Sequence, residues 1–424
     1  MNPKKETTRG KERQTSRISN DKLLELFTLG DLYISDFIDD SSPAPIKVPL
    51  TLALDRTSGL LQLKHTPPAN AMYEQYWYRS GMNKTMSEEL KSIARKAVSL
   101  IKCERGDTVI DIGCNDGTSL SYYGKTFFRV GFEPARNLRP YAEKHADLVI
   151  GDYFTAKGYF DKRSEKAKIV SSIAMFYDLD DPHKFVSDID AVLDTEGLWV
   201  VQMSYAPLML KQMAFDNICH EHLEYYSLSS FQYLVNQHDL RVVDVELNDI
   251  NGGSFRIFVR KNASHDNLFA SAPYRDVGEF RVSSLLEYEK KLNLDEPETY
   301  HSWFREIAGL KRQTVDFIRS EKSKGKSIWG YGASTKGNTL LQWYGFDNTL
   351  IDAIAERNPD KYGKRTVGTN IVIKSEGEMR QAKPDYLLIL PWHFISEFRA
   401  REKKYLSAGG KFIVPCPRFE VISA

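Results

Sequence analysis

Two stretches of this chain share one pattern: "VIDIGCNDGTSL" at 109–120 and "SIWGYGASTKGNTLL" at 327–341 each run an apolar strand into a glycine loop that opens a helix. Short apolar runs follow both. After the first come "FFRVGFEP", "ADLVIGDYF", "KIVSSIAMF" and "GLWVVQMSY"; after the second come "IDAIAERNP", "DYLLILPW" and "KFIVPCP". Strands that alternate with helical stretches imply parallel sheets covered on both faces. The expectation is an α/β chain with two such units, one over 86–262 and one over 263–424, the second opened by a long helical stretch near 276–322.

The 424 residues are enough for both units to bury their own cores. Residues 1–20 are polar and charged and are expected to form a disordered tail. Residues 21–85 read as a small aromatic-rich module broken by Pro43, Pro45, Pro49, Pro67 and Pro68. A helix is expected over 86–102, with Leu90, Ile93, Ala97, Leu100 and Ile101 on one face and Ser87 as its N-cap. A net charge of +1 supplies no field to attract nucleic acid. No apolar run is long enough for a membrane span and no leader pattern is present, so a cytoplasmic location is expected. Cys103, Cys114, Cys219 and Cys416 lie far apart without C-x-x-C spacing, which argues against a disulfide framework and a cysteine zinc site.

In the first loop Asp111 ends a strand, and Gly113 and Gly117 flank the turn. Glycine there lets the backbone approach a ligand near a helix N-terminus. Asn115 stands where a dinucleotide fingerprint needs glycine, which disfavours a pyrophosphate. Roughly 20 residues on, the next strand ends in Glu133, where a carboxylate commonly takes a ribose hydroxyl. Asp152 follows a third strand, placed for an adenine amino group, with Tyr153 and Phe154 available to stack. These four elements in order resemble the S-adenosylmethionine site of class I methyltransferases.

The stretch "DNICHEHLEYYSL" at 216–228 sets Cys219, His220, Glu221 and His222 side by side. Three readings are open. In an extended segment the two histidines share a face, as in H-x-H metal sites. They equally fit side chains satisfied by backbone at the entrance of a helix beginning near Ser227. They also fit general-base chemistry, because a neutral imidazole works near pH 7 and an adjacent carboxylate can orient it.

Together with "NGGSFR" (251–256), "YWYRSGMNKTM" (76–86), "GYGASTKGN" (330–338) and "LPWHF" (390–394), this stretch resembles the sugar C-methyltransferases. The resemblance runs over nearly the whole chain after residue 20. It implies a class I methyltransferase Rossmann-like domain, a C-terminal Rossmann-like domain and a small N-terminal module. It implies S-adenosylmethionine as cofactor, no catalytic metal, and methylation at C3 of a nucleotide-linked 4-keto-deoxysugar. A monomer or weak homodimer is expected. His222 matches the family's base, with His220 and Glu221 lining the same pocket and Glu221 as the assisting or substrate-holding acid. Tyr76 and Tyr78 match a tyrosine-rich segment that closes over the substrate. Cys219 stands where the family has a tyrosine and would leave space for a different sugar. Asp178, in "FYDLD", is a further substrate-facing candidate.

The chain departs from the family in its N-terminal module, which usually holds zinc on two C-x-x-C pairs. Asp55 and Ser58 stand where the second pair is expected. The module is therefore expected to persist without metal, through burial of Leu50, Leu52, Leu54, Leu60 and Leu61. In the second glycine loop, Lys336 at the helix entrance is a candidate for a phosphate. That loop reads as a nucleotide-sugar contact, a structural turn or a dinucleotide site, Glu356 being a possible ribose acid for the last. A nicotinamide-dependent oxidoreductase and a nucleotide-sugar-binding protein without catalysis are the alternatives to methyl transfer.

Overall fold

The computed structural model describes residues 10–42, 45–68, 72, 76–265 and 272–424. The N-terminal module is an antiparallel sheet of β1 (Leu24–Tyr33), β2 (Lys47–Asp55) and β3 (Leu60–Leu63), extended at one edge by the distant strand Glu224–Tyr225. Leu50, Leu52, Leu54, Leu60 and Leu61 are all buried, as expected. Most of them pack into a cluster with the C-terminal unit and Leu60 packs with the methyltransferase unit, so the module shares its neighbours' cores. At the turn between β2 and β3 the buried Asp55 carboxylate accepts Ser58 Oγ at 2.5 Å and Thr57 N at 3.0 Å. A hydrogen-bonded turn thus occupies the position at which the resemblance implies thiolates.

Residues 10–20 do not form the disordered tail expected of 1–20; residues 1–9 lie outside the described residues. Lys11–Glu12 pairs with His65–Thr66. Arg17 is buried, donating to Gln62 Oε1, the Leu63 carbonyl and Thr66 Oγ1, and Ile18 reaches the core beside it. Composition hides this, because the ordering comes from two side chains with distant partners rather than from a run of apolar residues.

The helix α1 (Lys84–Leu100) buries Leu90, Ile93, Ala97 and Leu100. Its N-cap is Asn83, whose side chain accepts Met86 N, and not Ser87, which instead bonds the Tyr122 hydroxyl. Then come β4 (Thr108–Ile112), β5 (Phe128–Phe132), β6 (Leu148–Ile150), β7 (Ala167–Ile173), β8 (Leu193–Ser204), helix α2 (Leu228–Val235), β9 (Leu240–Asn248) and β10 (Ser254–Lys261). They form one seven-stranded sheet in the order β9-β10-β8-β7-β4-β5-β6. β6 to β8 run parallel, whereas β10 and β9 add antiparallel to the β8 edge. All five residues of β4 are buried, as a central parallel strand requires.

The long helical stretch is α3 (Ala272–Lys290) and α4 (Pro297–Ser323), separated at Pro297, which suits a first helical position but not an interior one. The C-terminal sheet holds β11 (Ile328–Tyr331), β12 (Ala353–Glu356), β13 (Ile373–Ser375), β14 (Tyr386–Ile389), β15 (Lys411–Val414) and β16 (Glu420–Ile422). Its order is β13-β12-β11-β14-β15-β16, parallel except for the last strand. Helix α5 (Thr335–Tyr344) follows β11 directly, capped by Ser334. The aromatic residues at its end pack across to the methyltransferase unit, Trp343 and Tyr344 lying against Phe215, rather than only on their own domain.

Leu52→Ala should destabilise the protein by about 2–5 kcal/mol, read by urea denaturation, because β2 faces a filled core. A metal chelator should leave the unfolding midpoint of the purified protein where it is; a fall on chelation would assign the module a bound ion.

Candidate active site

The two glycine loops and the 216–222 segment open onto one cavity of about 1360 Å³. In the first loop Gly113, Asn115 and Gly117 all have positive φ, at 68°, 54° and 77°, so the chain reverses tightly between β4 and the following helical turn. Gly113 forms cavity wall, and a Cβ there would already be 3.4 Å from the Met175 side chain. Gly117 serves packing instead: a Cβ on it would lie 2.9 Å from Ala142 Cα, and it does not reach the cavity.

Three carboxylates stand on this side. Asp111 is buried, accepts Ser171 Oγ at 2.6 Å and is pushed up to about 7 by burial. Glu133 ends β5 and accepts the main-chain N–H groups of Asn115 and Ala135, each at 2.8 Å; burial pushes it to about 7 as well. Each of its oxygens keeps a further lone pair for a ligand hydroxyl. Asp152 lies exposed at the wall, bonded to the N–H of Tyr153. Tyr153 is 51% exposed, open to a planar ligand. Phe154 also lines the cavity and makes edge contacts with the rings of Phe132 and Phe185.

Asn115 has a task its sequence position did not suggest. Its side chain accepts Ser80 N and donates to the Tyr78 carbonyl, while Asp116 accepts Gly81 N. The segment 76–82 is tied at other points to Asp36 through Trp77 Nε1, to Arg357 through the Met82 carbonyl, and to Asn358 through the Trp77 carbonyl. It lines the cavity as a strap hydrogen-bonded to all three units. Tyr76 and Tyr78 both reach the cavity. Burial, then the nearby Asp178 and Glu221 carboxylates, push the Tyr76 phenol well above its ordinary range.

The histidine segment is not extended. A 3-10 turn at Phe215–Asn217 is followed by a tight turn through 219–222, and the two rings diverge. Nδ1 of His222 bonds the Asn217 carbonyl at 3.0 Å. A carbonyl only accepts, so Nδ1 carries the hydrogen and Nε2 keeps its lone pair. Burial, reinforced by the Lys336 ammonium, holds this imidazole down to about 3, so it is neutral at physiological pH. His220 points away and bonds the Val48 carbonyl of β2 at 2.9 Å, fully buried and outside the cavity wall. The expectation that it lines the same pocket is corrected: in a turn, residues two apart no longer share a face. Cys219 is buried behind the wall, where desolvation pushes its thiol well up, and it too does not reach the cavity. Glu221 and Asp178 do, and burial raises the Glu221 carboxyl.

Two wall residues were not singled out by the sequence. Tyr177 lies with its ring centroid 4.2 Å from that of His222, and His393 of "LPWHF" lies beside Lys336. The sequence signals were there: Tyr177 directly precedes Asp178, and His393 sits inside a quoted motif. Among the described residues no cluster of three or more His, Cys, Asp or Glu side chains is placed to hold a metal ion, and no helix is long and apolar enough to cross a membrane.

A parallel sheet with its first glycine loop, Glu133 and Asp152 at the carboxyl ends of adjacent strands is a nucleotide-binding arrangement, and the methyltransferase domain model that matches residues 78–245 makes this chain an S-adenosylmethionine-dependent methyltransferase. A C-methyltransferase C-terminal domain model matches residues 249–417. The C-methyltransferase NovU of Streptomyces niveus is 30% identical over 389 residues, 91% of this chain and 90% of that protein. The chain belongs to the sugar C-methyltransferase family. Solved structures that align with part of it include a Haloferax volcanii methyltransferase bound to its Trm112 activator, at 18% identity, a TM-score of 0.35 and 44% of this chain against 95% of that one. The N-methyltransferase NodS of Bradyrhizobium japonicum aligns at 11% identity and a TM-score of 0.33, over 42% of this chain and 97% of that one.

His220→Ala should destabilise the fold by about 1–3 kcal/mol, because the buried Val48 carbonyl loses its partner. An unaltered urea midpoint would remove this anchoring role.

Proposed function

We propose that the protein methylates C3 of a nucleotide-linked 4-keto-deoxysugar, with His222 as the base that forms the enolate. The observation that carries this reading is the fixed tautomer of His222, with an unprotonated Nε2 in a cavity also walled by Gly113 and Glu133.

The donor site fits S-adenosylmethionine. Gly113 leaves the space a side chain would fill, Glu133 is suited to ribose hydroxyls, Asp152 to the adenine amino group and Tyr153 to the ring face. When bound, the cofactor supplies an electrophilic methyl on a sulfonium. The chain's residues do the rest. A C–H bond beside a ketone is weakly acidic, so Nε2 of His222 accepts the C3 proton while the carbonyl of Asn217 holds the ring in place. Tyr177 packs against that ring at an interplanar angle of 54°. Glu221, whose carboxyl burial raises, faces the cavity and is placed to hydrogen-bond a sugar hydroxyl. Tyr76, and Tyr78 beside it on the strap, cover the sugar and exclude water. The nucleotide lies toward the second glycine loop, which the same cavity reaches. No step here calls for a metal.

His222→Ala should retain donor affinity, measured by calorimetry with S-adenosylhomocysteine, yet lose about 100- to 10,000-fold in methylation and in solvent deuterium exchange at C3. Unchanged turnover would end its role as the base. The same neutral base should keep kcat/KM free of a histidine titration near pH 6.5, since His222 binds its proton only far below that pH.

A further inference from the structure

Removal of the C3 proton leaves negative charge on the C4 oxygen, and no group named so far neutralises it. Lys336 stands in the first turn of α5, just after the second glycine loop. Its Nζ is bonded, however, to the 3-10 turn 119 residues earlier, donating to Asn217 Oδ1 at 2.5 Å. The main-chain carbonyl of that same Asn217 holds Nδ1 of His222. One asparagine therefore positions both the imidazole and the ammonium, and both line the cavity.

A fixed cation beside a base is unfavourable for catalysis by itself, because protonating the imidazole would set two positive charges together. Lys336 does oppose that protonation. The arrangement becomes productive if an anion forms between the two groups: as the proton reaches Nε2, imidazolium and ammonium flank it from two sides. The other titratable groups near Lys336 do not supply this charge: Asp216 and Glu221 are acids, Cys219 is behind the wall, and His393 is held neutral by burial and by Lys336 itself. Of the further cations at the wall, Lys361 is committed to the Ala333 carbonyl, Arg357 to the Met82 carbonyl and Arg401 to Glu376.

We propose that Lys336 is a catalytic residue whose ammonium donates a hydrogen bond to the C4 oxygen of the keto-sugar and stabilises the enolate, rather than an anchor for the diphosphate. This rests on the C3-methylation reading above. In the first step the C3–H bond breaks, its proton goes to Nε2, its electron pair forms the C3–C4 double bond, and the carbonyl pair moves onto oxygen while Lys336 keeps its proton. In the second step the oxygen regains its double bond and C3 bonds the methyl, whose former bonding pair stays on sulfur. The imidazolium then returns its proton to solvent.

The test uses the full chain with bound S-adenosylhomocysteine and a panel of nucleoside-diphosphate-linked 4-keto-6-deoxyhexoses, following deuterium uptake at C3 by mass spectrometry. Lys336→Met should lower the exchange rate at saturating sugar roughly 100- to 1,000-fold. The KM for sugar should move less than about threefold and S-adenosylhomocysteine affinity should stay unchanged. Added propylamine should restore part of the exchange in Lys336→Ala, which a merely structural lysine would not permit. Wild-type exchange with a raised KM would identify a phosphate anchor and overturn the proposal. So would a loss of exchange accompanied by loss of S-adenosylhomocysteine affinity and no response to amine. A wild-type protein that exchanges no sugar in the panel would overturn the C3 reading itself, and the role of Lys336 with it.

Discussion

The site depends on the bond between Nδ1 of His222 and the Asn217 carbonyl. A histidine in a buried turn has three ways to be wrong: it can be charged, carry its hydrogen on the other nitrogen, or rotate away. The main-chain acceptor settles the second and third, and desolvation with the neighbouring ammonium settles the first. Because the acceptor belongs to the backbone, no side-chain rotamer has to be held for it. The turn itself is fixed from outside: His220 fastens it to β2, Trp392 reaches Asp216 just before it, and Leu223 bonds the carbonyl of Tyr177.

The architecture was legible because two signals coincide in the sequence. Apolar strands bracketed by glycine loops and amphipathic helices mark parallel sheet, and both units appear where that pattern predicts them. The antiparallel β9–β10 pair was less legible, since edge strands and inner strands have similar apolar content when a helix covers them. The order of residues 10–20 was invisible for a different reason: a buried arginine is indistinguishable from a solvated one until its three acceptors, 45 or more residues away, are known.

At the candidate site, residues whose placement follows from the strand–loop–helix pattern were readable. Gly113, Glu133 and Asp152 fall at strand ends on one rim, and the fold delivers them together. Residue orientation inside a turn was not readable, and His220 and Cys219 were assigned to a wall they do not reach. Nor could the pattern separate the two glycines of the first loop, one of which faces the cavity while the other faces Ala142. Lys336 illustrates the longest gap: its nearest sequence context is a glycine loop, which suggests phosphate, yet its side chain is bonded to a turn of another domain.

The segment 76–82 joins the two sides of the cavity. Its main chain is fastened to the first glycine loop at Ser80 and Gly81 and to the C-terminal unit at Trp77 and Met82. Side chains of this segment line the cavity while its peptide groups are held by both neighbouring units, so the two sides of the cavity are joined through a few main-chain hydrogen bonds rather than through the sheets.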